Sequence, residues 1–542
     1  MKLKSIWYQL GQAVSQNLVI KGTLILTTAG FLTRIIGFYN RIFLAGLIGA
    51  AQMGIYQLIF PLYMVAFSLT TCGNELALTK LVSSYRSRGD MATAKAFFRV
   101  CFFVNLISGL LVSILMYKNA AWLCTHILNA PECSACLKTI CFGIPFMSMK
   151  GAIHGYFLGL ENSGVHGISD LLEQTAKVYG LYLLATYICI RKQYDASFAV
   201  WGIVIGEVVA FIYSVAALEL HNHKAVESTG YIDATVNKSP CNGIRKSRSC
   251  TPRPLFLHQI LRLFLKDSVP LTTNRLALTV LQSIESIMIP TVLLLYYKDS
   301  NISLATFGVF SGMAFPFIMF PSTITNSLST MLLPAVSSAS STLNNGYLSR
   351  LCEKSLHFCL LIGMFSTITF YIFGTEIGEV FFQNKEAGIY LYQLSFLCPL
   401  IYLATTLASI LNGMGFATHN LVLTVIATVI RISFIKLLIP QIGMTGYIAG
   451  MFTSYLFLTL ACLNKLEKTI SIRLHFLESV FLPGCVFTAL GAVAFFGYRH
   501  IIPTLTGKIP VIIILLSIIA LYGIISFVPF LITTYKASRQ PR

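Results

Sequence analysis

Apolar stretches about 20 residues long recur along this chain, the length a helix needs to cross a hydrocarbon core roughly 30 Å thick. Short polar links separate them. Inside hydrocarbon every backbone N–H and C=O must be satisfied within the protein, so such stretches are read as helices. Of the 542 residues 11% are charged and 56% hydrophobic, against about 25% charged in soluble domains. The chain therefore reads as an all-α polytopic membrane protein with about 14 spans. Six fall near 20–46, 51–82, 96–118, 137–160, 166–190 and 197–220. Six more fall near 266–297, 304–335, 353–373, 388–412, 418–439 and 442–463, and the last two near 476–498 and 509–533.

One long polar stretch, His221 to Arg262, interrupts the series and carries the basic run Arg245-Lys246-Ser247-Arg248. Its Ser, Pro and Gly content predicts a linker with little secondary structure, turning amphipathic from Leu255 to Phe264. The expected organisation is a first bundle over 1–220, a basic cytoplasmic linker over 221–262, a second bundle over 263–463, and a last pair of spans with a tail over 464–542. The irregular segment between the third and fourth spans reads as an extracytoplasmic loop.

The net charge of +19 raises the question of nucleic acid. The basic residues are dispersed among the links, and no nucleic-acid motif accompanies them. Most Lys and Arg fall in links on one side of the membrane, which by the positive-inside rule places both termini in the cytoplasm. Met1 to Gln16 has neither a continuous apolar core nor a cleavage site, so it reads as a surface helix rather than a secretory leader.

The two halves repeat. Phe60-Pro61 aligns with Phe315-Pro316, Leu81-Val82-Ser83-Ser84 with Ala335-Val336-Ser337-Ser338, and Gly155 to Leu160 with Ser409 to Met414. Six spans is an even number, so the copies enter the membrane from the same side, as parallel repeats do. In such folds the substrate site lies between the halves and rocking gives alternating access. Duplicated scaffolding is the other reading.

The polar residues inside the spans are the candidates for function. In the first span Gly30, Arg34, Gly37 and Arg41 share a helical face. Each Arg at mid-bilayer costs about 2.5–3.5 kcal/mol. The pair therefore either snorkels and pairs with carboxylates or lines an anion site. Arg275 and Gln282 extend the set in span seven, Asn74 and Glu75 in span two. Arg34, Arg41, Arg275, Asn74, Glu75 and Gln282 are the candidate cavity residues, and the planar guanidinium fork suits phosphate. Glu173 and Lys177 are spaced to pair one helical turn apart and form a candidate gating ion pair. Glu207 is a lone acid in span six, Glu285 stands beside the polar stripe of span seven, and Arg431 reads as snorkelling toward an edge.

No cofactor, metal site or catalytic constellation is expected. Cys133-x-x-Cys136 lacks a second pair at zinc spacing, although a local disulfide there is possible. HExxH, GxSxG and Walker A motifs are missing, so the chain reads as a non-enzyme, coupled to a gradient or passive.

Several motifs resemble a known family. Phe31-Leu32-Thr33-Arg34-Ile35-Ile36-Gly37-Phe38 with Gly54-Ile55-Tyr56-Gln57-Leu58 is similar to the opening of the stage V sporulation protein B family. So are Gly155 to Gly159 with Glu173 to Val178, and Phe320 to Thr323 with Leu332 to Ala335. That family is a branch of the multidrug/oligosaccharidyl-lipid/polysaccharide (MOP) exporter superfamily. The resemblance implies a V-shaped pair of bundles in a bacterial inner membrane, flipping a lipid-linked glycan precursor for spore cortex or cell-wall synthesis. In related lipid II flippases first-span arginines line the cavity, which here implies Arg34 and Arg41, and the last two spans form a lipid groove. Glu75 stands where the family commonly has Pro, Leu158 where Gln is usual and Lys177 where Arg is usual. The implied partners are the lipid-linked glycan, membrane lipids and cell-wall enzymes. Two other readings stay open: a cation antiporter of the multidrug and toxin extrusion (MATE) type, and a non-transporting scaffold for cell-wall enzymes.

Overall fold

The computed structural model describes residues 18–187, 195–236, 256–341, 345–470, 481–501 and 508–537. Every regular element among them is helical. Ten of these helices are long and apolar enough to cross a membrane, eleven if a bent pair at Pro131–Cys141 and Ile144–Gly159 forms one span. The expected surface helix over Met1 to Gln16 and the basic run at 245–248 lie outside the described residues.

The first helix, α1 (Leu18–Phe67), breaks at Gly49, where φ is 76° and ψ 177°. An L side chain is sterically excluded from that backbone region, so glycine marks the turn between the first two spans. A π-helical turn, Ser68–Cys72, leads into α2 (Gly73–Ser87). α3 (Met91–Lys118) starts five residues before the expected position because the Asp90 carboxylate accepts from Thr93 N–H at 3.0 Å and caps it. The segment expected as an irregular loop is built of short helical turns at Ala120–Trp122, Leu123–Ile127 and Pro131–Cys133. Cys124, Cys133, Cys136 and Cys141 are buried free thiols. α4 (Ser134–Cys141), α5 (Ile144–Gly159), α6 (Ser163–Tyr187) and α7 (Ala196–Val236) follow.

α7 corrects the linker expectation: it continues through residues 221–236, and α8 (Leu257–Tyr297) is already helical before Arg262. Helix propagation past an apolar span costs little once the span has nucleated it. Ile260 and Phe264 of α8 are buried in one core with Ala77, Phe97 and Tyr156. The remaining helices are α9 (Ser300–Phe307), α10 (Phe315–Met319), α11 (Ser322–Ser341), α12 (Asn345–Phe382), α13 (Lys385–Leu394), α14 (Cys398–Gly413), α15 (Ala417–Ile442), α16 (Met444–Glu467), α17 (Leu482–Ile501) and α18 (Lys508–Ala537).

The chain forms two compact units, one of Met1–Gly37 with Leu58–Ile284 and one of Phe38–Gln57 with Glu285–Arg542. Both α1 and α8 therefore contribute to each unit, whereas the sequence had divided the bundles between residues 220 and 263. The internal repeat is visible within each unit separately. α5 and α14 have equal length and Pro at the first turn. A Cβ on Gly159 would meet Val82 Cβ at 2.7 Å, and one on Gly413 would meet Val336 Cβ at 3.1 Å. The same small residue lets the same pair of helices touch in both copies.

Candidate functional site

The first unit holds a connected polar centre. Span four supplies Lys150, whose ammonium lies 2.5 Å from Glu173 Oε2 on α6 and 2.7 Å from Glu207 Oε2 on α7. Tyr63 on α1 donates its hydroxyl to Glu207 Oε1 at 2.8 Å. Gly206 permits this convergence: a Cβ there would sit 2.8 Å from the Glu173 carbonyl oxygen, so α7 can lie close against α6. Lys150 and Glu207 are both buried. A buried charge is tolerated only when paired and hydrogen-bonded, and here one ammonium bridges two carboxylates.

A second, neutral network lies on α2, α3 and α5. Asn74 Nδ2 donates to Asn105 Oδ1 at 2.7 Å and to the Thr70 carbonyl at 3.0 Å. Asn105 Nδ2 donates to the Ser148 carbonyl at 2.8 Å, and Ser148 Oγ returns a bond to the Asn105 carbonyl at 2.8 Å. Ser268 on α8 donates to Asn74 Oδ1. The Thr70 carbonyl belongs to the π-helical turn, where the regular ladder is interrupted, so the Asn74 side chain takes up a backbone acceptor there.

The second unit has a comparable centre among the described residues. The Arg431 fork engages Glu285 through Nε to Oε1 at 2.6 Å and Nη2 to Oε2 at 3.0 Å. Tyr447 donates to the same Oε1 at 3.0 Å, and the guanidinium lies 5.5 Å from the Tyr455 ring centroid. Arg431 is thus an interior ion-pair residue, which corrects the snorkelling expectation. Two parallel charge-assisted bonds in a dry interior outweigh a reach to the membrane edge.

The candidate cavity residues divide. Arg34, Arg275 and Gln282 have exposed side chains in the first unit. Glu75 is half-buried there and Asn74 is buried with its amide committed to the protein. Arg41 is half-buried and belongs to the second unit. The close ionic contact of Glu173 is with Lys150; Lys177 lies one turn further along α6. Sequence reasoning missed Lys150, Tyr63, His154 and His166. The signal for Lys150 was present: a lysine in the middle of a largely apolar span.

A bundle of membrane-length helices with duplicated packing and ionised centres inside each unit has the makings of a secondary transporter fold. The inward-facing conformation of a multidrug resistance MATE family transporter of the MOP superfamily is similar at a TM-score of 0.62 and 14% identity, covering 80% of this chain and 95% of that one. The lipid II flippase MurJ in an inward closed conformation is similar at 0.62 and 13% identity, covering 94% and 100%. These likenesses establish the fold. In sequence the chain matches the polysaccharide biosynthesis protein family over residues 19–340, and it belongs to that family. The stage V sporulation protein B of Bacillus subtilis (strain 168) is 23% identical over 468 residues, 86% of each chain. The protein is a multi-pass membrane protein of the polysaccharide biosynthesis protein family, similar to stage V sporulation protein B.

Proposed function

We propose that this protein moves an anionic lipid-linked oligosaccharide or peptidoglycan precursor across a bacterial inner membrane by alternating access, with both termini in the cytoplasm and a role in spore cortex or cell-wall synthesis. The observation that carries the reading is the exposed Arg34 side chain within a membrane-length helix of a polysaccharide biosynthesis family member. An arginine facing lipid within a membrane span is costly, so its head belongs in a water-filled or anionic environment. Arg275 on α8 is exposed in the same unit and adds a second guanidinium. Arg41 completes the proposed phosphate-binding set, and Glu75 and Gln282 serve the neutral part of the substrate. Asn74 holds α2 against α3 through Asn105.

A cation antiporter draws on the acids of the first unit. Lys150 already bridges Glu173 and Glu207, which weighs against those two as an open cation-exchange site.

The deciding experiment is transbilayer movement of a tagged lipid-pyrophosphate-linked sugar in proteoliposomes. The wild type is expected to move it, and Arg34→Ala/Arg41→Ala, monodisperse after purification, to lose movement. Movement surviving both substitutions would sink the site assignment. No movement by the wild type under any imposed gradient would favour the antiporter or the scaffold.

A further inference from the structure

Near the turn joining α5 and α6, two histidines missed in the sequence meet a carboxylate. Glu75 on α2, His154 on α5 and His166 on α6 place their ligand atoms all within 4.8 Å of one another. The two imidazoles face each other through Nδ1, 2.7 Å apart, with ring centroids at 4.4 Å. His154 is buried and the other two are half-buried.

The outer nitrogens fix what these inner ones can be. His166 Nε2 lies 3.9 Å from Asp170 Oδ2, an acceptor. His154 Nε2 lies 3.5 Å from Ser214 Oγ. Ser214 donates its own proton to the Ala210 carbonyl at 2.8 Å, so toward His154 it offers a lone pair. These outer contacts suit rings protonated at Nε2. In that tautomer the two Nδ1 atoms, 2.7 Å apart, need a proton or a metal cation between them. The surroundings also favour a cation. Glu75 lies within electrostatic reach of Asp170, Asp170 of Glu173, and Glu173 of Glu207, while Lys150, and Lys177 one turn beyond Glu173, are the bases among them. Acidic side chains outnumber the ammonium groups there four to two.

We propose that Glu75, His154 and His166 form a binding site for a divalent transition-metal ion that favours imidazole, with zinc as the reference ion. Two imidazoles and a carboxylate are a donor set of that class. Tetrahedral zinc at about 2.0–2.1 Å from nitrogen needs the two Nδ1 atoms to part by only roughly 0.6 Å. Asp170 and Ser214 then hold the rings from the outside, as outer partners of metal-bound histidines do. The ion replaces the proton otherwise shared by the two Nδ1 atoms and ties α2, α5 and α6 together within the first unit. The site shares Glu75 with the proposed cavity, and its metal binding is read without any transported substrate.

The test uses the tag-free, full-length protein in detergent after chelator treatment. Zinc titration by calorimetry is expected to give one saturable site per chain and release of about one proton, read from buffers of different ionisation enthalpy. Cobalt should give the visible bands of a tetrahedral nitrogen-ligated ion, bleached by zinc, with magnesium and calcium failing to compete. His166→Gln should abolish the site. Asp170→Asn, which leaves all three ligands in place, should weaken it about 10- to 100-fold. No saturable zinc binding by monodisperse wild type would mean the imidazoles share a proton only, and would overturn the proposal. Binding unchanged in both variants would place the metal elsewhere and overturn it equally.

Discussion

Removing the ammonium of Lys150 would strand two carboxylates inside the first unit. Leaving one partner of a buried pair uncompensated costs about 3–5 kcal/mol, so Lys150→Met is expected to lower the thermal midpoint sharply in detergent. Lys150→Met/Glu207→Gln, which removes a charge of each sign, should recover much of that loss. Tyr63→Phe removes only a hydroxyl donor to Glu207 and should cost nearer to 1–2 kcal/mol. An additive double mutant would show that the 2.7 Å contact contributes nothing. Glu207 was legible in the sequence as a solitary acid in its span. Its partner was not, because α5 and α7 come together only through the tertiary fold. Glu173 had a ready candidate at Lys177 on its own helix, and local spacing could not reveal that Lys150, from another helix, would take its carboxylate.

Helix ends and breaks carry the next layer of information. Gly49→Ala puts a Cβ on a backbone at φ 76°, at an expected cost of about 1–3 kcal/mol; a neutral result would mean that the break relocates. Asp90→Ala removes the cap of α3 and should cost about 1 kcal/mol, measured by thermal unfolding in detergent. The hydrogen bonds from Thr93 hold the Asp90 carboxyl below the usual range. A depressed folded value means the cap's full contribution is present above the unfolded value of about 3.9 and is lost as pH falls through the folded one. The stability difference between wild type and Asp90→Ala should therefore shrink on acidification, and a constant difference would contradict a charged cap. Apolar run lengths made most spans legible to within a few residues. The start of α3 was missed because an acidic residue ahead of Met91 acts through geometry, not hydrophobicity. The helix through residues 221–236 was missed because polar composition argued for a linker while the adjoining span propagated its ladder.

For the whole molecule, the repeat was readable in aligned dipeptides and reappears as matching glycine contacts at Gly159 and Gly413. The division into units was not readable. A sequence shows where α1 turns, but not that Phe38–Gln57 associates with the second unit and the first part of α8 with the first. Arg34 and Arg41, one face in the sequence, thereby belong to different units. If both bind one phosphate-bearing substrate, the charge of the moving complex decides how transport responds to voltage. One net charge crossing the membrane field is worth about 2.3 kcal/mol per 100 mV, on the order of 50-fold in the equilibrium distribution. In proteoliposomes holding a potassium diffusion potential, a net-anionic complex should accumulate on the positive side by roughly that factor. An equal response to either polarity would mean that the arginines travel with the substrate and cancel its charge, or that a counter-ion does. A proton gradient applied at zero potential then separates these cases: it drives accumulation only if protons are exchanged. Indifference to potential and to every ion gradient would leave passive equilibration, and the charged first span would then serve recognition alone.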